Sequence, residues 1–99
     1  MERVAILAML QAKPGKELDV EALLKSALPM AEAEPGTVRW YALKIGNSTF
    51  CVFDTFADRG GLDAHFSGDI AKALFARAGE LFEELPVIGQ SEIIAMKST

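Results

Sequence analysis

Apolar and polar positions follow two different periods along this chain, and the switches between them mark its elements. Val4 to Leu10 (VAILAML) is an unbroken apolar run closed by Lys13-Pro14-Gly15. A run this short between turn signals predicts a strand covered on both faces. From about Pro14 to Glu34 the period becomes helical. Leu18, Leu23, Ala27, Leu28 and Ala31 recur at helix spacing, and Lys16, Glu17, Asp19, Glu21 and Lys25 fall mainly elsewhere. Pro29 is expected to kink this helix or end it early, and Glu34-Pro35-Gly36 to stop it. Thr37 to Ile45 (TVRWYALKI) and Thr49 to Phe56 (TFCVFDTF) are rich in β-branched and aromatic residues, which predicts strands. Gly46-Asn47-Ser48 between them has turn chemistry, so the pair reads as an antiparallel hairpin. Asp58 suits the N-cap of a short helix through Leu62 and His65. Ser67-Gly68-Asp69 breaks that helix, and a longer one is expected from Ile70 to about Leu85. Leu74, Ala78, Leu81, Phe82 and Leu85 form its stripe, with Ala71 and Phe75 beside it. Pro86 ends it, and Val87 to Lys97, with Ile93, Ile94, Ala95 and Met96 consecutive, predicts a last strand.

The resulting order is β-α-β-β-α-β, the split βαβ arrangement of an α+β, ferredoxin-like domain with a four-stranded antiparallel sheet. Such a sheet carries its helices on one face. Here the strands are apolar on both parities: Val4, Ile6, Ala8 and Leu10 against Ala5, Leu7 and Met9, and Phe53 against Phe50, Val52 and Phe56. The second face therefore also needs cover, most simply the same face of a second copy in a closed two-fold dimer.

Composition sharpens this picture. Ninety-nine residues support one hydrophobic core, so residues 1–99 form a single domain. Hydrophobic residues make up 51% of the chain and the mean hydropathy is +0.21, a surplus that a domain this small cannot bury alone. No apolar stretch approaches the ~20 residues that span a bilayer. No basic segment followed by a long apolar run opens the chain, so neither a membrane segment nor a signal peptide is expected, and a cytoplasmic location is the default. A net charge of −4 and the lack of a basic stripe argue against nucleic acid as a partner. The single cysteine, Cys51, makes no intrachain disulfide, and no clustered Cys and His offer a metal site. Nothing matches a phosphate-binding loop, a dinucleotide fingerprint or a nucleophile elbow.

Three groups of residues carry a family resemblance. Glu34-Pro35-Gly36-Thr37 followed by Trp40-Tyr41 resembles an acidic-Pro-Gly signature leading into an aromatic strand. Leu62-Asp63-Ala64-His65-Phe66, after a strand ending Asp54-Thr55-Phe56, is similar to a strand-three exit and a helix-borne histidine. Pro14-Gly15 with Glu17 resembles the start of the first helix. The pattern spans nearly the whole chain and resembles the antibiotic biosynthesis monooxygenase family. That resemblance implies a dimeric α+β barrel with a pocket inside each subunit, between sheet and helices. It implies oxygenases that use O2 on anthrones or quinols with no metal, flavin or other cofactor, together with haem-degrading relatives. The haem-degrading pattern of a strand-one asparagine, a helix-two tryptophan and a later histidine ligand is not matched. Strand one has no asparagine, the tryptophan position falls on His65, and the ligand position falls near Phe75.

Candidate chemistry rests on few side chains. His65 is the only histidine and so the only side chain with an ordinary pKa near neutrality. A cofactor-free oxygenase needs its substrate deprotonated, which suits His65 as base or orienting group. The plainer reading has it fix the helix junction by bonding a backbone carbonyl or Asp54. Asp54 is a carboxylate in an apolar strand, and burial there demands a partner or a raised pKa. Arg39, by parity and position, is the candidate partner. Trp40 and Tyr41 alternate to opposite faces, so one of them can line a given pocket and the other packs elsewhere. If Trp40 faces the helices it offers an aromatic wall. Phe75, Met9 and Met30 either fill the core or contact a ligand. Cys51 sits where a thiol behaves as a small hydrophobe.

Together these residues imply a cofactor-independent monooxygenase for a small aromatic, quinol or anthrone-type compound. Its catalytic residues would be His65 and Asp54, with Trp40, Tyr41, Phe75 and Met9 as substrate contacts. The contrasting expectation is a non-catalytic dimeric module that binds a small hydrophobic ligand or stabilises an assembly. A pocket too small for a bicyclic ring would favour it. An isomerase or decarboxylase of the same fold, needing a base but no O2, is the third.

Overall fold

The computed structural model describes residues 1–97. Its elements are β1 (Val4–Gln11), α1 (Glu17–Ala33), β2 (Thr37–Ile45), β3 (Thr49–Phe56), α2 (Arg59–Phe66), α3 (Asp69–Ala76), α4 (Ala78–Leu81) and β4 (Val87–Glu92). The strands form one antiparallel sheet in the order β2-β3-β1-β4. The split βαβ order read from the sequence is therefore the fold, with the second helical segment divided into three pieces.

Strand parity sorts the two faces. Ile6, Ala8 and Leu10 of β1 and Phe50, Val52 and Phe56 of β3 point to the helices and form the core with Val20 and Leu24 of α1, Leu62 of α2 and Leu74 of α3. Ala27 and Ala31 continue the α1 stripe against Ile70. The opposite face carries Leu7, Tyr41, Leu43 and Val87 in exposed positions, and Tyr41 stacks on Phe53 with ring centroids 6.3 Å apart. The strands are thus apolar on both faces, as the sequence predicts, and one face is bare.

Four expectations are corrected. The buried stripe of α1 is Val20, Leu24, Ala27 and Ala31, whereas Leu18 is 77% exposed and Leu28 is exposed too. Pro29 does not end the helix, which runs to Ala33. It lies on the exposed side, where solvent can satisfy the Lys25 carbonyl that loses its donor. The predicted Ile70–Leu85 helix stops at Ala76 and resumes for one turn at Ala78, because the end of β1 captures the chain. The Lys13 N–H donates to the Leu81 carbonyl at 2.8 Å, the Glu83 N–H to the Gln11 carbonyl at 2.9 Å, and Ala12 bridges to Phe82. Leu85 lies beyond this clasp and is exposed. Finally, β4 ends at Glu92 rather than Lys97. Its partner β1 begins at Val4, opposite Glu92; past that pair the Ile93 N–H donates to the Arg3 carbonyl at 2.9 Å before the two segments part, and Ile94 is 93% exposed.

The entry to β2 and the start of α2 meet backbone to backbone. A Cβ on Gly36 would lie 2.8 Å from the Gly61 Cα, and one on Gly61 would lie 2.8 Å from the Gly36 carbonyl oxygen. Only hydrogen fits at either position, and this approach sets where α2, and with it His65, sits. Asp58 caps the same helix, its Oδ1 accepting from the Gly61 N–H at 2.9 Å. Gly61→Ala should destabilise the fold by about 1–3 kcal/mol, since backbone has to move. Gly79→Ala, where an added Cβ meets nothing within 4 Å, should be neutral or stabilising by up to about 1 kcal/mol. Urea midpoints of the two variants check this contrast.

Candidate functional site

Asp54 stands at the centre of β3 on the helix-facing side, opposite Trp40 of β2 and Ile6 of β1, and is 0% exposed. A carboxylate placed there by strand parity needs a cation, and α2 supplies it. His65, in the last turn of α2 and 8% exposed, brings Nε2 to 2.9 Å from Asp54 Oδ2. Its other nitrogen, Nδ1, is 2.8 Å from Oε1 of Glu34, the residue that ends α1. Thr37 Oγ1 donates to the same Oε1 at 2.7 Å and steadies it. One imidazole therefore bridges two carboxylates from separate elements. The His65–Asp54 contact is a charge contact with the N–H angled off the oxygen, so neither Asp54 oxygen accepts a well-aligned hydrogen bond.

Burial alone would pull the imidazole pKa down. Asp54 and then Glu34 more than reverse that, and the ring sits at about 9 against an ordinary 6.5. At neutral pH His65 is thus an imidazolium held between two acids. Its place at the C-terminal end of α2 favours the same charge.

Asp54 and His65 line one end of a cavity of about 50 Å3 between sheet and helices. Apart from Ser26 the remaining wall is apolar and includes Leu23, Met30, Phe66, Leu74 and Phe75. On the far side of the imidazole lies an open surface groove of about 300 Å3, lined by Glu34, Pro35, Gly36, Gly61, Gly68 and Asp69. His65 borders both spaces.

The structure brings together three of the six residues singled out from the sequence. His65, Asp54 and Phe75 border the cavity, with Phe75 half-exposed. Trp40 does face the helices, but it packs against the core clusters and borders a separate open groove between α1 and β2, not the Asp54 cavity. Its indole N–H is buried with no partner among the described residues. Tyr41 and Met9 are on the opposite face by strand parity, so neither reaches this cavity. Arg39 is not the partner of Asp54. It pairs with Thr55 in register, on the other face, and its guanidinium lies 3.5 Å from Glu2. Cys51 is buried, with its thiol pKa raised by burial first and by the charge of Asp54 second, as befits an inert core thiol. Sequence reasoning missed Glu34 as a site residue. The signal was its position directly after a helix and before Pro35-Gly36, where a side chain is released from the helix surface toward a neighbouring element. Among the described residues no cluster of Cys, His, Asp and Glu could hold a metal ion, and no helix is long and apolar enough to cross a membrane.

A four-stranded antiparallel split βαβ sheet with helices on one face and a polar-ended cavity beneath them defines a ferredoxin-like α+β protein. A family model described as antibiotic biosynthesis monooxygenase matches residues 3–77, and the chain belongs to that family. The matched stretch contains Glu34, Asp54 and His65. Among solved structures, a protein of unknown function from Nitrosomonas europaea is 48% identical over 100% of this chain and 96% of its own, with a TM-score of 0.96. A protein from Mycobacterium tuberculosis is 21% identical over 97% of this chain and 99% of its own, with a TM-score of 0.87. A candidate antibiotic biosynthesis monooxygenase from Caulobacter crescentus is 21% identical over 95% and 92%, with a TM-score of 0.82. Those last two share the fold. No curated protein matches the chain.

The raised pKa of His65 couples its charge to folding. The folded state holds the proton more tightly than the unfolded chain, so this stabilisation is complete below pH 6.5 and is lost as pH rises through about 9. Unfolding free energy from urea titrations should fall by on the order of 2–3 kcal/mol across that window. His65→Gln should abolish this slope, and should cost about 3–5 kcal/mol at neutral pH by leaving two carboxylates without their cation.

Proposed function

We propose that this chain is a cofactor-independent monooxygenase for a small phenol or quinol-type compound, with Asp54 as proton acceptor and His65 as fixed cation. The observation that carries this reading is a fully buried carboxylate that pairs with His65 through Oδ2 and leaves Oδ1 without a partner among the described residues, beside an apolar cavity. A substrate hydroxyl entering that cavity would give its proton to Asp54. The resulting oxyanion is costly in apolar surroundings unless a cation lies beside it, and the His65 imidazolium is that cation. This reverses the roles suggested by an ordinary histidine, for His65 already carries its proton at neutral pH. The electron-rich anion then reduces O2. One oxygen atom enters the ring and the other leaves as water, and a quinol that becomes a hydroxyquinone supplies all four electrons.

Volume narrows the substrate. About 50 Å3 accommodates O2 or a water or two, whereas benzene needs a cavity of roughly 150 Å3. A single ring therefore enters only if wall residues shift, and Met30 and the half-exposed Phe75 are placed to do so. The same small volume favours a second reading, a non-catalytic module that binds a compact apolar ligand. A second copy covering the exposed Leu7, Tyr41, Leu43 and Val87 face completes the proposed assembly.

Oxygen uptake by the metal-stripped protein against monocyclic quinols and catechols tests the reaction. Uptake above autoxidation should fall at least about 100-fold in Asp54→Asn. In the wild type it should decline as pH rises through about 9, when His65 discharges. A rate that instead climbs through pH 6.5 would return the base role to His65. No uptake, with the same compounds raising the melting temperature, would favour the binding module. Light scattering should return about twice the chain mass of 10.7 kDa, and a persistent monomer would sink the dimer.

A further inference from the structure

We propose that Glu34 is the outer station of a proton path that joins the cavity to solvent through the His65 ring, with Asp54 as the inner station. Its use in turnover rests on the oxygenase reading, but the path itself does not.

The geometry is that of a relay with one buried and one exposed end. Asp54 is wholly buried and borders the cavity, and Glu34 borders the open groove with its side chain 19% exposed. The ring spans the two at 2.9 Å and 2.8 Å and separates the two spaces. Glu34 engages it through Oε1 alone, and Oε2 has no partner among the described residues. That second oxygen is itself buried, and Gly68 lies against it: a Cβ there would sit 2.9 Å from Oε2, so any other residue would press on the Glu34 carboxylate and shift it from the ring. Besides Glu34, Asp69 of α3 is the one acidic side chain bordering the groove among the described residues. Its negative charge helps draw a proton outward.

The transfers balance. Once Asp54 has taken a ligand proton, the ring's Nδ1–H bond breaks and that proton passes to Glu34, then to solvent. The ring turns so that its bare nitrogen faces Asp54, takes the Asp54 proton, and restores the original charges, with one proton delivered outside. A purely structural Glu34 would hold the ring in place with no such traffic.

The test reads proton exchange at the ring, with no substrate present, so it stands apart from any failure to find oxygenase activity. In 15N-labelled protein at pH 5.5, where the ring is charged, solvent exchange of the imidazolium protons is measured by NMR. In the wild type, with Asp54 ionised and the charged ring held by both carboxylates so that it does not turn, the Nδ1 proton should exchange ahead of the Nε2 proton. In Glu34→Gln, which keeps shape but cannot ionise, exchange should slow by about tenfold or more. An Nε2 proton that exchanges first would overturn the proposal, because solvent would then reach the ring through the cavity. So would a folded Glu34→Gln protein whose ring exchanges at the wild-type rate. The order of exchange in the wild type decides the matter even if the variant does not fold.

Discussion

A carboxylate with no exposure at the centre of a sheet is the constraint on which the rest of this site depends. Strand parity sends Asp54 into the helix-facing layer, and an unpaired charge there would be prohibitive. The fold answers with a cation on α2, and the position of α2 is in turn dictated by the Gly36–Gly61 approach and the Asp58 cap. One cation facing one buried acid would suffice for pairing. A second acid at the end of α1 takes the ring further, holding it charged well above neutrality. Three segments far apart in sequence are thereby tied through a single imidazole.

Most of the architecture was legible because its signals are local. Thr37 to Ile45 and Thr49 to Phe56 announce a hairpin through β-branched and aromatic residues around Gly46-Asn47-Ser48, and Asp58 announces a helix start. The errors fall where tertiary contacts override periodicity. Leu18 and Leu28 fit a helical stripe as well as Val20 and Leu24 do, and only the direction from which the sheet approaches chooses between them. The break at Arg77 follows from the clasp between β1 and the Leu81–Glu83 segment, which has no signature in the residues nearby. The strand beyond Glu92 failed because β1 offers no further partner, although Ile93, Ile94, Ala95 and Met96 look like a strand.

The site was half legible for the same reason. His65 and Asp54 stand out as the lone histidine and a carboxylate in an apolar strand. Their mutual contact was among the plainer readings of His65, while Arg39 was the wrong partner for Asp54. One residue of strand register separates the two faces, and Arg39 falls on the side of Thr55. Glu34 could not be read as a site residue from its neighbours, which signal only a helix end. Asp54 and His65 meet between sheet and helices, and strand parity leaves Tyr41 and Met9 to the bare face.

The His65 ring borders a small apolar space on one side and a surface groove on the other, so it serves as a septum as well as a counter-ion. Those two duties cannot be separated. Trimming the ring would open a through-channel and at the same moment strip the buried acid of its charge partner. Leu23 and Phe75 carry no charge and border the small space but not the groove, so shortening either enlarges that space and leaves the charge pair intact. Met30 borders both spaces, and shortening it would join them much as trimming the ring would, yet without removing a charge.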